Sequence, residues 1–402
     1  MEFMKYIDRL LIKPLIHQIS RGKSVLLLGP RQTGKSTLLE HIEKDHTISL
    51  VPPGVRQRYE RAPSLLSGEI LAIQKNMGRR PLIILDEIQK VPELMDVVQD
   101  LIDKEIAQFI LTGSSARKLK KNNVINLLPG RVVSMRLDPF IFHEASYEEV
   151  NNHILYGSLP GIFTTDAPED KETDLKSYVE TYLEEEIRSE ALVRKIGQFV
   201  RFLEYAGLES GNIVNFRALA QEIGVSHTTI ISYFEILEDC LIVERVEPIT
   251  KSLTRKKLTK SCKYLLFDLG VRRLCAAEGI KMTPERLGQL FEQCVGLELI
   301  RNARLFGNCK IRFWSDPNGP EVDWVIEKDR TYIPVEVKWT DSPLMKHAKH
   351  VKTFLEEHET APKGYVVCRT SHPVQLDEKI TAISWKDVAQ IIPDFLTVLS
   401  PT

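Results

Sequence analysis

The sequence predicts an α/β protein of several domains, and three observations lead there. The chain has 402 residues, more than one hydrophobic core usually organises, so two or three domains are expected. Over residues 1 to about 140, short apolar runs (KSVLLLG, HTISLV, PLIILDE, AQFILTGS, RVVSMRL) alternate with helical patterns. Buried strands alternating with helices predict a parallel sheet covered on both faces. The periodicity then changes: it turns helical after about 141, as in LKSYVETYLEEEIRSEALVRKIGQFVRFLEYAGL. Strands return after about 261 around the long helix PERLGQLFEQCVGLELIRNARLF. The expected division is 1–140, 141–260 and 261–402.

Composition narrows the setting. No apolar run approaches the roughly 20 residues that span a bilayer, and no membrane association is expected. The N-terminal MEFMKYIDRLLIKPLIHQIS reads as a charge-interrupted amphipathic helix and lacks a signal peptide's apolar core. Six cysteines without CxxC pairing fit a reduced, cytoplasmic setting and argue against structural zinc. The net charge of −1 means that nucleic acid would have to be met by local patches.

The first apolar strand runs into LLLGPRQTGKSTLLEHI. Gly29, then four residues, then Gly34, Lys35 and Ser36 form the P-loop pattern, between a strand and a helix as that motif requires. The loop Gly29, Pro30, Arg31, Gln32, Thr33, Gly34, Lys35, Ser36 and Thr37 would wrap its backbone amides around the phosphates of ATP. Lys35 would reach the β/γ oxygens, Ser36 would hold Mg²⁺, and the helix N-terminus would add its dipole.

The strand in RRPLIILDEIQKV ends in Asp86 and Glu87. Asp86 is placed to join the Mg²⁺ shell, and Glu87 to orient and deprotonate a water. A third strand, QFILTGSSARKL, ends near Thr112, Gly113, Ser114 and Ser115; Ser114 is the candidate for poising that water or reading the γ-phosphate. Arg131, in LLPGRVVSMRL, is open to two readings. It is either an arginine finger reaching a neighbouring subunit's site, which implies a homo-oligomer, or an exposed arginine at a helix C-terminus.

With GPRQTGKST, LIILDEIQ, ILTGSSA and LPGRV in view, the chain resembles the prokaryotic AAA-type ATPases that carry a nuclease-like C-terminal domain. GSLPGIF at 157–163, KYLLFDLG and the stretch EVDWVIEKDRTYIPVEVKW extend the resemblance over nearly the whole chain. It implies an AAA-type P-loop domain, a winged-helix module in the middle and a restriction-endonuclease-like α+β domain at the end.

In the middle segment, LAQEIGVSHTTIISYFEIL reads as a helix-turn-helix. Leu219, Ile223 and Val225 would form its core, and Ser226 would cap the second helix. Ser226, His227, Thr228 and Thr229 begin that helix, where recognition helices meet base edges. A module used only for packing or protein contact stays open beside it. The run TKSLTRKKLTKSCK follows, with Lys251, Arg255, Lys256, Lys257, Lys260 and Lys263 and no acid. Set beside the second helix, it would supply phosphate contacts to DNA.

The C-terminal stretch EVDWVIEKDRTYIPVEVKW is either an ordinary half-buried hairpin or a metal site. Strand alternation puts Glu321 and Asp323 on one face, and Glu336 and Lys338 on one face of the next strand. Asp323 and Glu336 suit Mg²⁺, with Lys338 positioning a water. Glu321 is the alternative to Asp323. The pattern resembles the PD-(D/E)XK nuclease fold, which also uses an acid on a preceding helix, and Glu292 fills that place.

The expected function is Mg²⁺-dependent ATP hydrolysis coupled to DNA binding, with ATP-gated cleavage as an extension. The alternative is a regulatory ATPase switch, without nuclease catalysis, that binds a protein through its C-terminal domains.

Overall fold

A computed structural model describes residues 6–115, 130–183, 196–249, 262–307, 309–316 and 319–399. By internal contacts the chain forms two compact units. One holds Met1–Pro139 and Glu235–Ile242, the other Phe140–Glu184, Val193–Phe234 and Val243–Thr402.

The first unit is built on five parallel strands: β1 (Ser24–Leu28), β2 (His46–Ser49), β3 (Leu82–Asp86), β4 (Gln108–Gly113) and β5 (Val132–Arg136), in the order β2-β3-β4-β1-β5. β1 is buried along its whole length, as a strand covered on both faces must be. The helix Leu94–Asp103 shows why it sits on the sheet: Leu94, Met95, Val98, Leu101 and Ile102 recur at helical spacing and are all buried. They pack with Leu26, Ile83, Leu85, Phe109 and Leu111 of the strands. The expected N-terminal helix is confined, among the described residues, to Ile12–Ser20.

The order of strands positions the first site. β4 lies between β1 and β3, with Leu28 beside Gly113 and Leu85 beside Leu111. The C-terminal ends of the three strands therefore meet at one edge of the sheet.

The second unit carries a mixed eight-stranded sheet: β6 (Val243–Pro248), β7 (Lys263–Leu266), β8 (Lys310–Ser315), β9 (Glu321–Lys328), β10 (Thr331–Val337), β11 (Gly364–Cys368), β12 (Val374–Asp377) and β13 (Ile380–Ser384). Their order is β12-β13-β11-β10-β9-β8-β6-β7. The boundary expected at 260/261 therefore falls between two neighbouring strands of one sheet. The helix Pro284–Phe306 packs Phe291, Cys294 and Val295 into the core formed with Trp324, Ile326, Ile333 and Val335.

Helices Val150–Tyr156, Pro160–Thr164, Pro168–Ser177 and Ile196–Leu208 form the middle of the chain. A helix-turn-helix follows: Phe216–Ile223, a left-handed turn at Gly224, then His227–Asp239. Asn215 caps the first helix by accepting from Arg217 and Ala218 N–H, and Ser226 Oγ accepts from Thr229 N–H at 3.1 Å. Leu219 and Ile223 are buried as expected, whereas Val225 is half-buried. β6 and β7 then pair antiparallel. Residues 250–261, and with them every basic residue of the TKSLTRKKLTKSCK run except Lys263, lie outside the described residues.

Two shared motifs, GSLPGIF and KYLLFDLG, interlock. Asp268, fully buried, accepts from Ser158 N–H at 2.7 Å and from Val271 N–H at 3.1 Å. A Cβ on Gly157 would sit 2.0 Å from Asp268 Oδ1, and one on Gly270 would sit 2.4 Å from the Tyr156 carbonyl oxygen. Arg301 closes the knot, donating to the Phe140 and Phe267 carbonyls and to Ser158 Oγ. These motifs hold the unit together. No helix among the described residues is long and apolar enough to cross a membrane.

Candidate functional site

Two groups of expected residues come together, one in each unit. In the first unit, Gly29 leaves β1 and donates its N–H to the Gly113 carbonyl at 3.2 Å. A Cβ there would lie 2.3 Å from the Leu137 carbonyl oxygen, so only glycine fits. Gly34 takes φ 90°, the left-handed geometry that turns the loop into the helix Lys35–Glu40. That helix has six residues, so the loop's own amides matter more for anion binding than a macrodipole. Lys35 folds back, with Nζ donating to the Gly29 carbonyl at 2.7 Å and the Pro30 carbonyl at 3.0 Å. Thr33 is buried and donates to the Pro30 carbonyl, while Ser36 and Thr37 are exposed.

The carboxylates stand at the end of β3. Asp86 accepts from Thr112 Oγ1 at 2.7 Å and from Ser49 Oγ at 3.0 Å. Glu87 adopts φ 59°, a strained region for a residue with a side chain. Its N–H donates to Thr112 Oγ1 at 3.0 Å. Its Oε2 accepts from Gln89 Nε2 at 2.5 Å and from Ser114 Oγ at 3.3 Å. Ser114, the sequence's candidate for poising a water, bonds the Glu87 carboxylate, and Gln89 joins it.

Arg131 stands apart. It precedes β5, whose first residue Val132 pairs with Ser24 at the start of β1, while the phosphate loop follows Leu28, paired with Arg136. A strand's length, about 17 Å for five residues, separates Arg131 from the chain's own loop. It is half-buried and ion-paired with Asp103. Reasoning from sequence missed Arg9, 24 residues before Thr33, which donates to the Thr33 carbonyl at 2.7 Å and to the Asp138 carbonyl at 2.6 Å. Nothing local marks it.

Residues 21–146 match the family model of the AAA domain. The first unit thus carries an AAA-type P-loop ATPase domain, and such a domain implies nucleotide binding, usually with Mg²⁺. Two further models, each described as a domain of unknown function, match residues 147–283 and 287–388. An uncharacterized protein of Mycobacterium tuberculosis is 26% identical over 370 residues, covering 91% of this chain and 80% of its own length. One from Methanocaldococcus jannaschii is 23% identical, covering 92% and 85%. Among solved structures, Cdc6p from Pyrobaculum aerophilum aligns at a TM-score of 0.28 and 11% identity, over 69% of this chain and 97% of its own. McrB with bound McrC from Thermococcus gammatolerans aligns at 0.24 and 13%, over 49% and 52%. Likeness at that level decides nothing here.

The second group lies where β9 and β10 meet the helix Pro284–Phe306. Lys338 Nζ donates to Glu336 Oε1 at 2.6 Å, and Asp323 Oδ2 accepts from Val337 N–H at 2.7 Å. Glu336 is 3% exposed, and its Oε2 lacks a hydrogen-bond partner among the described atoms. Burial, reinforced by the charge of Glu336, pushes Asp323 up to about 7. Burial likewise raises Glu336. Lys338 is raised, because its desolvation is outweighed by Glu336 and Asp323.

The expected ligands Glu292, Asp323 and Glu336 differ in what holds them. Among the described residues, no three carboxylate, histidine or cysteine side chains converge as ligands of one ion. Beside them lies Lys263, read from the sequence as the end of a basic run. It is 3% exposed, and its Nζ lies 3.0 Å from Glu292 Oε1 and 3.2 Å from Glu321 Oε1. Burial and the charge of Asp323 push Glu292 up to about 7. Lys263 stays cationic because Glu292, Asp323 and Glu321 hold it jointly. Glu336, whose Oε2 has no partner among the described atoms, and its neighbour Asp323 offer oxygens of the kind a hard cation takes, whereas Glu292 is already engaged by Lys263. The alternative ligand, Glu321, also turns to Lys263.

Proposed function

We propose that this protein hydrolyses ATP with Mg²⁺ in its AAA-type domain and uses the cycle to control engagement of DNA by the rest of the chain. The observation that carries the first half is the aimed carboxylate pair: Asp86 on Thr112 and Ser49, Glu87 on Gln89 and Ser114. On nucleotide binding, Lys35 exchanges the Gly29 and Pro30 carbonyls for phosphate oxygens. Ser36 and Asp86 would hold Mg²⁺, which would supply positive charge to neutralise the phosphates. Glu87 orients the attacking water. Arg131 lies a strand's length from its own loop, which favours action in trans within a homo-oligomer.

For the second half, the helix-turn-helix and the antiparallel β6–β7 pair support a winged-helix module, and the helix Pro284–Phe306 with β9 and β10 supports a nuclease-like domain. In that domain Asp323 and Glu336 would hold Mg²⁺, and Lys338 would position a water against a scissile phosphate.

The deciding experiment measures phosphate release and duplex binding together. Turnover should vanish in Lys35→Ala, while duplex binding persists at low salt and weakens steeply as salt rises. Equal turnover in the variant would sink the ATPase assignment. Plasmid cleavage, if present, should be lost in Asp323→Asn and in Lys338→Ala. A second reading, a switch that binds a protein partner, draws on the second helix: Ser226 Oγ is already bonded to Thr228 and Thr229 hydroxyls at 2.8 and 2.7 Å. Absence of duplex binding at low salt would favour it.

A further inference from the structure

β7 begins with Lys263, whose buried side chain neither the basic run nor the KYLLFDLG motif explains. The backbone of Lys263 is held on both sides, by Val246 of β6 and by a bridge to Ile213. Its ammonium meets Glu292 and Glu321, and the rest of its seat is aromatic: it lies 5.3 Å from the Phe313 ring centroid and 5.2 Å from that of Trp324. Two carboxylates and two ring faces suit an ammonium well. They suit a divalent ion poorly, since Mg²⁺ requires about six oxygens in an octahedron and the rings offer none. The seat is also stiff. Trp324 Nε1 donates to the Glu292 carbonyl at 3.0 Å, and its ring packs so closely on Gly296 that a Cβ there would lie 2.4 Å away.

We propose that Lys263 is a tethered cation filling the Glu292–Glu321 corner of the acidic pocket, which keeps Glu292 from ligating a divalent ion and restricts any such ion to Asp323 and Glu336. The inference rests on the pocket's geometry and holds whether or not the domain cuts DNA. Four carboxylates, Glu292, Glu321, Asp323 and Glu336, face two ammonium groups, Lys263 and Lys338. Removing the charge of Lys263 while keeping the fold leaves Glu292 and Glu321 to recruit a cation from solution.

The test is calorimetric titration of the full chain with Mn²⁺, without nucleotide, so that it reads neither ATP turnover nor cleavage. Wild type and Glu292→Gln should bind alike, within about twofold, or not at all. Lys263→Met should bind at least about tenfold more tightly, the scale expected for a pocket residue that shapes a metal site, and the gain should disappear in Lys263→Met/Glu292→Gln. Lys263→Gln, with a polar end on a shorter stem, replaces Lys263→Met should that variant not fold. The proposal is overturned if Glu292→Gln weakens Mn²⁺ binding in the wild-type background, or if a folded Lys263 variant shows no gain.

Discussion

The phosphate site and the acidic pocket both gather carboxylates, but different groups hold them. In the phosphate site the holders are neutral: hydroxyls of Thr112, Ser49 and Ser114 and the amide of Gln89. In the acidic pocket they include ammonium groups, Lys338 on Glu336 and Lys263 on Glu292 and Glu321. A neutral donor aims a carboxylate and leaves its charge for an incoming cation. An ammonium donor aims it and cancels the charge. Glu292 and Glu321 are thus engaged where Asp86 and Glu87 are available, and the acid's motif alone does not distinguish the two.

The largest effect that would test this contrast is expected at Glu87. Glu87→Gln keeps the side chain's size and most of its contacts but removes the charge. Turnover should fall by about 10²- to 10⁴-fold, with ATP affinity retained in a fluorescent-nucleotide titration. Glu292→Gln, in the pocket where charge is already offset, should leave turnover unchanged. Turnover within about threefold of wild type in Glu87→Gln, against the general-base range, would remove the phosphate site from the comparison.

A second effect tests the pocket through pH. Burial and Asp323 raise Glu292 from its ordinary value to about 7 in the folded protein. Below about pH 4 both folded and unfolded states are protonated and the group contributes no difference. As pH rises the unfolded chain loses its proton first, so stability present at low pH is lost progressively until the folded group ionises near pH 7. The loss is about 3 kcal/mol for this group. All four tryptophans, Trp314, Trp324, Trp339 and Trp385, lie in the second unit, so their emission in urea titrations reports that unit alone. The decline from pH 4.5 to 7 should be smaller in Glu292→Gln. An unchanged decline would show that this acid is not its source.

How legible each site is in the sequence follows from how local it is. Gly29, Gly34, Lys35 and Ser36 lie within eight residues, and Asp86–Glu87 closes an apolar strand, so pattern alone places them. Arg9 and Gln89 make their contacts through the folded sheet, and no spacing rule points to them. Lys263 is the instructive case. Its neighbours up to Lys260 suggested a solvated basic run, while the following YLLF already signalled a buried strand. One residue at the junction belongs to the strand, and strand alternation does not say which face meets Glu292, 29 residues away. Likewise, GSLPGIF and KYLLFDLG were visible as motifs, but that they interlock through Asp268 depends on a contact across 110 residues.

The smallest effect is expected at Thr112, and it tests whether neutral donors do the aiming in the phosphate site. Thr112 is fully buried, donates to Asp86 Oδ1 and accepts from the N–H of Glu87. Thr112→Val keeps the shape, so no cavity opens, but it leaves a carboxylate oxygen and a backbone N–H without their partner. The cost should be about 1–2 kcal/mol, seen as a lower melting temperature by far-UV circular dichroism. Turnover should fall as well, because Asp86 loses one of its two donors and Glu87 loses the bond that anchors its left-handed backbone. Thr112→Ser restores the hydroxyl without the methyl. If turnover recovers in the serine variant while part of the stability loss remains, aiming and packing separate. If valine matches wild type in both, Thr112 does not aim Asp86, and the contrast between neutral and ammonium donors loses its clearest member.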